Sequence, residues 1–473
     1  MLTDKTPQHS NELATQLDFL FGRLNFERIT NVNYPRHFKL ESMRRLLQEL
    51  GDPQTNFSII HVAGTKGKGS VSRMIANALS DSGIATGVYS SPHIESICER
   101  VTVNGKVISQ ADLASALKTT RQAVERLDAL ADQNGDRKNS FFEIITATSL
   151  LHFQRQKVEK VVLEVGLGGR LDSTNVCEPE LCVITNISLD HTKQLGSTVD
   201  LIAREKAGII KRGVPVISGV LDPLAAREIQ EATTVNNSDL VELGQDFHVT
   251  VRSPESTNGS QVHFDTHGNL PERHAYQLKA LQVNSLVQHQ AVNAAIAIAA
   301  LKCLPDRYRI SDESIRQSLL RFQMIGRGEI MSDRPLIIVD MAHNVASINV
   351  LLDLLNNCNP SGKRRLIFAS SKDKDAESML QRLLPEFDEV TITRFLENPR
   401  AQDPTELLQV ADTIVQTGNL KVQVNSADHP QQAWEQNVAK TSPDDALVVA
   451  GSTFLVAETR PLATKFIQEL NDC

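Results

Sequence analysis

The chain has 473 residues, of which 41% are hydrophobic and 22% charged, the balance of a folded protein with two or three domains rather than one core. Its net charge of −8 argues against general nucleic-acid binding, which needs a basic face, so anionic ligands must be held by local charge. The opening MLTDKTPQHSNEL lacks an apolar signal region, no run is long enough to span a membrane, and the six cysteines include no C-x-x-C pair, so a reduced, cytoplasmic protein without a membrane partner is expected.

In chain order, the first strong signal is SIIHVAGTKGKGS (Ser58–Ser70). Ile59–Val62 is a β-branched run of the kind a buried strand uses, and Val71, Met74, Ile75, Ala78 and Leu79 fall at helical spacing. A strand, a glycine-rich turn and a helix N-terminus together form a phosphate cradle, because glycines let backbone N–H groups approach an anion. Lys68 would supply a point charge and Ser70 a hydroxyl for Mg²⁺. The generic P-loop spacing is not met: Val62 stands where a glycine belongs, and Gly69 separates Lys68 from Ser70. A flexible solvated loop is the competing reading, and the flanking strand and helix favour nucleotide binding.

Further strands are expected at Ala85–Tyr89, Lys160–Val165, Cys182–Asn186 and Val214–Ser218, with a helix at Phe142–Phe153 between them. The segment Tyr89–Gly105 reads as a long loop, whose Ser91 is a candidate metal ligand and whose Arg100 is a candidate for an anionic substrate. In VVLEVGLGGRLDSTN a buried strand runs into Glu164 and three glycines, where a carboxylate makes a good Mg²⁺ ligand. His191 follows another strand end, and Lys206 lies on the next helix against Ala207, Gly208 and Ile209. Apolar surroundings lower a lysine's pKa. A neutral amine can capture CO₂, and the carbamate is an anionic metal ligand.

From about 240 to 282 short alternating pieces suggest a small antiparallel patch, with SPESTNGS as a surface loop, and His289–Leu304 is helical. The polar stretch FQMIGRGEIMSDRP marks a boundary. Beyond it, PLIIVD, RRLIFASS, EVTITRF, KVQVNSA and ALVVAGS each precede a helical pattern, enough βα units for a domain by themselves. Arg327 at the linker is placed to reach a nucleotide's phosphates, and Asp340 and His343 end a buried strand. SKDKD, alone, reads as a charged surface loop. The expected architecture is α/β: a P-loop parallel-sheet domain over 1–325 and a smaller Rossmann-like domain over 326–473, with ligands in the cleft between them.

Taken together, AGTKGKGS, SSPH…ERVTVNG, FFE, EVGLGGRLDSTN, DH…LG, EKAGI, HQ..N, GR.E, D.AHN, KDKD and VAGS, in this order from about Phe57 to Thr453, resemble the folylpolyglutamate synthase/dihydrofolate synthase family of Mur-type ATP-dependent ligases. The extra loop glycine is that family's own form. The resemblance implies that Thr65, Lys66, Gly67, Lys68, Gly69 and Ser70 cradle ATP, with Asn293, Arg327 and Asp340 completing the nucleotide site. It implies Mg²⁺ at two sites, with Ser70, Ser91, Glu164, His191 and a carbamylated Lys206 as ligands. It implies pterin contacts from Ser140, Leu171, Asp172 and Ser173, and places His343 where phosphate and incoming glutamate meet.

The implied reaction joins L-glutamate to a pteroate or folate carboxylate through an acyl phosphate, with small-molecule partners and a monomeric chain. A Mur-type ligase for another amino acid, or a P-loop ATPase, is the alternative. Lys66 stands where the family commonly has Asn, Met341 where it has Gly, and Ser140 where it has Thr. The segment NFERITNVNYPRHFKLESMRRLL resembles the family's G-L-E-R-I stretch only loosely.

Overall fold

The computed structural model describes residues 11–25, 40–134, 137–252, 262–270, 275–283, 289–396 and 398–471. SPESTNGS and much of the NFERITNVNYPRHFKLESMRRLL stretch lie outside them.

The first sheet has eight strands: β1 (Ser58–Ala63), β2 (Thr86–Tyr89), β3 (Val101–Val103), β4 (Lys106–Val107), β5 (Lys160–Glu164), β6 (Leu181–Ile184), β7 (Val216–Ser218) and β8 (Leu240–Glu242), in the order β4-β3-β2-β5-β1-β6-β7-β8. All pair in parallel except β3 and β4. The central strands are buried on both faces, as their unbroken aliphatic runs require.

Two expectations shift. Tyr89–Gly105 is not all loop, since a 3₁₀ turn at Ile97–Arg100 leads into the β3–β4 hairpin. Leu240–Glu242 joins the main sheet beside β7 and not the antiparallel patch. That patch is β9 (Phe247–Val251), β10 (Val262–Gly268) and β11 (Tyr276–Val283).

Helices cover both faces of the sheet. The helix Lys68–Asp81, the almost wholly buried helix His289–Lys302 and the antiparallel patch share one core with the sheet. On the other face pack Asn11–Phe21, Leu40–Glu49, Gln110–Asn134 and Phe141–Arg155. Close approach explains one glycine: a Cβ at Gly87 would meet the ring of Phe153 at 2.7 Å. That fully buried ring contributes about 2–3 kcal/mol.

A second sheet follows: β12 (Glu329–Asp333), β13 (Leu336–Val339), β14 (Arg364–Phe368), β15 (Glu389–Ile392), β16 (Gln423–Ser426) and β17 (Ala446–Ala450), ordered β12-β13-β17-β14-β15-β16. Only β12 is antiparallel. It lies inside the stretch read as a boundary, where its polar residues hide it. Two cores, one on each face, complete this domain. No helix among the described residues is long and apolar enough to cross a membrane.

Candidate active site

Gly64–Ser70 turns from β1 into the helix Lys68–Asp81. Gly67 takes φ +85° at the helix N-cap, and no side chain caps that end, so first-turn amides are left for an anion. Thr65 N–H donates to Asn186 O at 2.6 Å and Thr185 Oγ1 to Lys66 O at 2.7 Å, which pins the loop to the segment after β6. Lys68 Nζ folds back onto Gly64 O at 3.0 Å and Thr65 O at 3.3 Å.

The amide of Asn293 lies against Gly67, so any Cβ there would collide with it. Asn293 is itself held by Gln290 Oε1 at 2.9 Å. Left-handed backbone costs a residue with a Cβ about 1–2 kcal/mol. Gly67→Ala is therefore expected to weaken binding of a nucleotide roughly tenfold while the fold persists, measured by calorimetry beside a thermal melt.

Glu164 ends β5 and is buried. A Cβ on Gly69 would stand 3.6 Å from its Oε2, so the carboxylate overlooks the loop. Burial raises its pKa, opposed by the charges of Lys68, Arg327 and Arg73 and by a hydrogen bond from the Ser91 amide. Ser70, also buried, follows in the helix's first turn. A hydroxyl, a carboxylate and Ser91 beside a phosphate cradle are hard oxygen donors of the kind Mg²⁺ selects, with phosphates and waters filling the remainder of its shell. Accordingly no cluster of three His, Cys, Asp or Glu side chains is needed, and none occurs among the described residues. The donor set fits the ion.

His191 takes φ +49° as N-cap of the short helix Thr192–Leu195, and the charges of three lysines act on it. Burial lowers its pKa, Asp190 opposes this, and Lys68, Lys206 and Lys374 add to it. Lys206 is 4% exposed, and its Nζ donates to Gly64 O at 2.7 Å. Two lysine amines thus meet at one carbonyl. Desolvation, followed by the Lys68 charge, pulls Lys206 down to about 7.

From the second domain, Asp340 accepts hydrogen bonds from the amides of Gly328 at 2.5 Å and Ala342 at 2.6 Å. Burial pushes its pKa up to about 6 against those bonds and Arg327. His343 Nδ1 donates to Met341 O at 2.9 Å, which leaves Nε2 for the cleft. Arg327 is exposed, yet its charge acts on Lys68, Glu164, Arg73 and His289. Groups from both domains therefore converge on the glycine loop.

The residues matched to pterin contacts lie further along. Ser140 caps the helix Phe141–Arg155 in a reciprocal box with Glu143, its hydroxyl 2.7 Å from Glu143 Oε2. Asp172 accepts from the amides of Gly166, Leu167 and Thr174, which folds the glycine turn around its carboxylate. Ser173 Oγ is 3.2 Å from Thr146 Oγ1, and Leu171 is half-buried. Arg100 is 1% exposed, with Nε 2.8 Å from His93 Nδ1 and its guanidinium over the Phe141 ring. In this arrangement its partners are protein groups.

Four residues absent from the sequence-based set belong to the convergence. Asp190 acts on Lys68, Lys206, His191 and His343, and its signal was the aspartate of the DH pair. Arg73 lies one helical turn beyond Gly69 and faces Glu164 and Glu99. Lys374 acts on both histidines, so the KDKD loop is no mere solvated surface. His289, near Lys66 and Arg327, was visible in HQ..N.

Two family descriptions match the chain: the Mur ligase middle domain over residues 62–301 and the Mur ligase glutamate ligase domain over 321–453. The chain is 34% identical over 436 residues to the folylpolyglutamate synthase of Lacticaseibacillus casei, covering 90% of this chain and 96% of that protein. It is 30% identical over 457 residues to the dihydrofolate synthase/folylpolyglutamate synthase of Escherichia coli, covering 97% of each. Among solved structures it is similar to the folylpolyglutamate synthase of Thermotoga maritima (TM-score 0.81, 29% identity, 96% and 97% of the two chains). It is also similar to E. coli FolC in complex with DHPP and ADP (TM-score 0.77, 28% identity, 98% and 100%).

Proposed function

The chain belongs to the folylpolyglutamate synthase/dihydrofolate synthase family of Mur-type ligases, and from that premise we propose how its own residues carry out the ATP-dependent addition of glutamate. The observation that supports the assignment best is the meeting of Lys68, Glu164, Asp190, His191 and Lys206 with Arg327 and Lys374 of the second domain at one glycine loop.

A carboxylate is a poor electrophile at neutral pH, and phosphorylation gives it a leaving group. The acceptor carboxylate attacks the γ-phosphorus of ATP, the bond from that phosphorus to the bridging oxygen breaks, and ADP leaves an acyl phosphate behind. The glutamate amine then adds to the acyl carbon and gives up a proton, and departure of inorganic phosphate from the tetrahedral intermediate leaves the amide. The first-turn amides and Lys68 hold the phosphates, so the protein's part is positioning and charge stabilisation. Asn293 orients the nucleotide against Gly67. Arg327 and Asp340 reach it from the other side of the cleft, and together with His343 they close the second domain over the loop and exclude water from the acyl phosphate.

Ser70, Ser91 and Glu164 would hold one Mg²⁺, and His191 with a carbamate on Lys206 a second. Ions held there would supply positive charge to neutralise the phosphates. Ser140 and Leu171–Ser173 line the acceptor end, the chain acts as a monomer, and the domains divide at 325/326.

The test is product identity. Purified protein with ATP, Mg²⁺, L-glutamate and either dihydropteroate or tetrahydrofolate is expected to yield a glutamate-sized mass gain by mass spectrometry. Gain on both acceptors means a bifunctional synthase, and gain on one names the activity. ATP hydrolysis without gain on either removes the acceptor assignment.

A further inference from the structure

The helix Thr453–Asn471 carries Arg460, whose side chain is 20% exposed. Both edges of its guanidinium are used. Nε and Nη2 grip Glu329 at the start of β12 at 2.9 and 2.8 Å, and Nη1 crosses to Glu95 of the first domain at 2.7 Å.

Each carboxylate leads to the active site by a separate path. Glu329 Oε2 accepts the Gly326 amide at 2.7 Å, which fixes the linker next to Arg327. Glu95 belongs to the loop that begins at Ser91, whose amide bonds Glu164. That loop is stiff, because the Glu99 carboxylate accepts the amides of Ile94, Glu95 and Ser96 at 2.9, 2.8 and 2.7 Å. Its tip, Ile94, leaves its own domain and packs on the second domain's core. A Cβ on Gly326 would touch Ile94 Cδ1 at 3.4 Å.

We propose that Arg460 is a positioning residue for the nucleotide–metal end of the site: through Glu95 it holds the Ser91 loop, and through Glu329 it holds the linker that carries Arg327. It touches no substrate. An isolated surface ion pair would contribute little, but a guanidinium with both edges engaged and most of its surface covered is rigid and directional. One side chain thereby sets the Glu164–Ser91 pair and Arg327 relative to each other across the cleft. The proposal rests on reading that cleft as an ATP–Mg²⁺ site.

Calorimetric titration with a non-hydrolysable ATP analogue, in Mg²⁺ and again in EDTA, tests it on the full chain. Wild type is expected to bind more tightly with Mg²⁺. Arg460→Met and Glu95→Gln are each expected to lose about tenfold of that Mg²⁺-dependent gain, while affinity in EDTA moves less than about twofold for Glu95→Gln, which leaves the path through Glu329 to Arg327 intact. Arg460→Lys, which keeps charge but not the fork, is expected to fall between.

Arg460→Met and Glu95→Gln with lower melting temperatures but the full Mg²⁺ gain would reduce the cluster to a structural staple and overturn the proposal. If Arg460→Met does not fold, Glu95→Gln decides alone, since it leaves the Arg460–Glu329 pair in place. A wild-type protein that binds no analogue overturns the nucleotide reading, and this proposal with it.

Discussion

Lys68→Ala is expected to lower kcat by about a hundred- to a thousandfold, the scale for removing one preorganised group that stabilises transition-state charge. Its melting curve should stay close to that of wild type. The amine makes its hydrogen bonds to two loop carbonyls, and water can replace it there at modest cost. The rate falls because Lys68 is also a counter-charge for Glu164. Without it one of the charges that oppose the rise in the Glu164 pKa is gone, which disfavours the ionised form a metal ion selects. Kinetics and a thermal melt on the same preparation check this. Normal turnover in a folded variant would remove the phosphate-cradle assignment.

Lys206→Ala is expected to lower activity about a hundredfold, with partial recovery on adding formate or acetate, small anions that can occupy the place of a carbamate. Lys206→Met removes the amine but keeps an unbranched side chain of similar length, so its difference from wild type reports the amine alone. In the folded apo protein the lysine titrates near 7 and in the unfolded chain near 10.5. Between those values the unfolded state binds the extra proton, so wild-type stability relative to Lys206→Met rises with pH, by about 1.4 kcal/mol per unit. Below about 7 both states are protonated and the difference is flat at its least favourable. Urea melts from pH 6 to 10 measure the slope, and a difference that does not change with pH would mean the amine keeps its charge. Crystallographic density at the lysine tip in bicarbonate decides the carbamate itself.

The alternation of aliphatic runs and helical patterns made the parallel sheets legible, because strands buried on both faces cannot hide their composition. What escaped were short strands at or next to a sheet edge. Val101–Val103 buries only Val101, Lys106–Val107 is exposed, and β12 reads EIMSD with no residue wholly buried, so none shows the run of buried aliphatics that marks a central strand. The site divides the same way. Lys68, Glu164 and His191 were readable because a charged group at the end of an apolar strand is locally conspicuous. Arg73 and Arg460 sit in helices at positions where arginine is ordinary, and only the fold brings them to Glu164 and Glu95. Spacing along a chain cannot report a meeting between residues 95 and 460.

The strand order of the second sheet bears on how the protein is made. β17, next to last among all the elements in the chain, lies between β13 and β14. During synthesis the first sheet can close once residue 242 has emerged, while the second has a gap at its centre until Ala450 is out. The strands flanking that gap expose unpaired amides and carbonyls for the time needed to translate roughly eighty more residues, several seconds at ribosomal speed. Truncations that end before Ala446 are therefore expected to be insoluble although their first domain is intact. Arg460, which follows by ten residues, can bridge the two domains only after that central strand has been made.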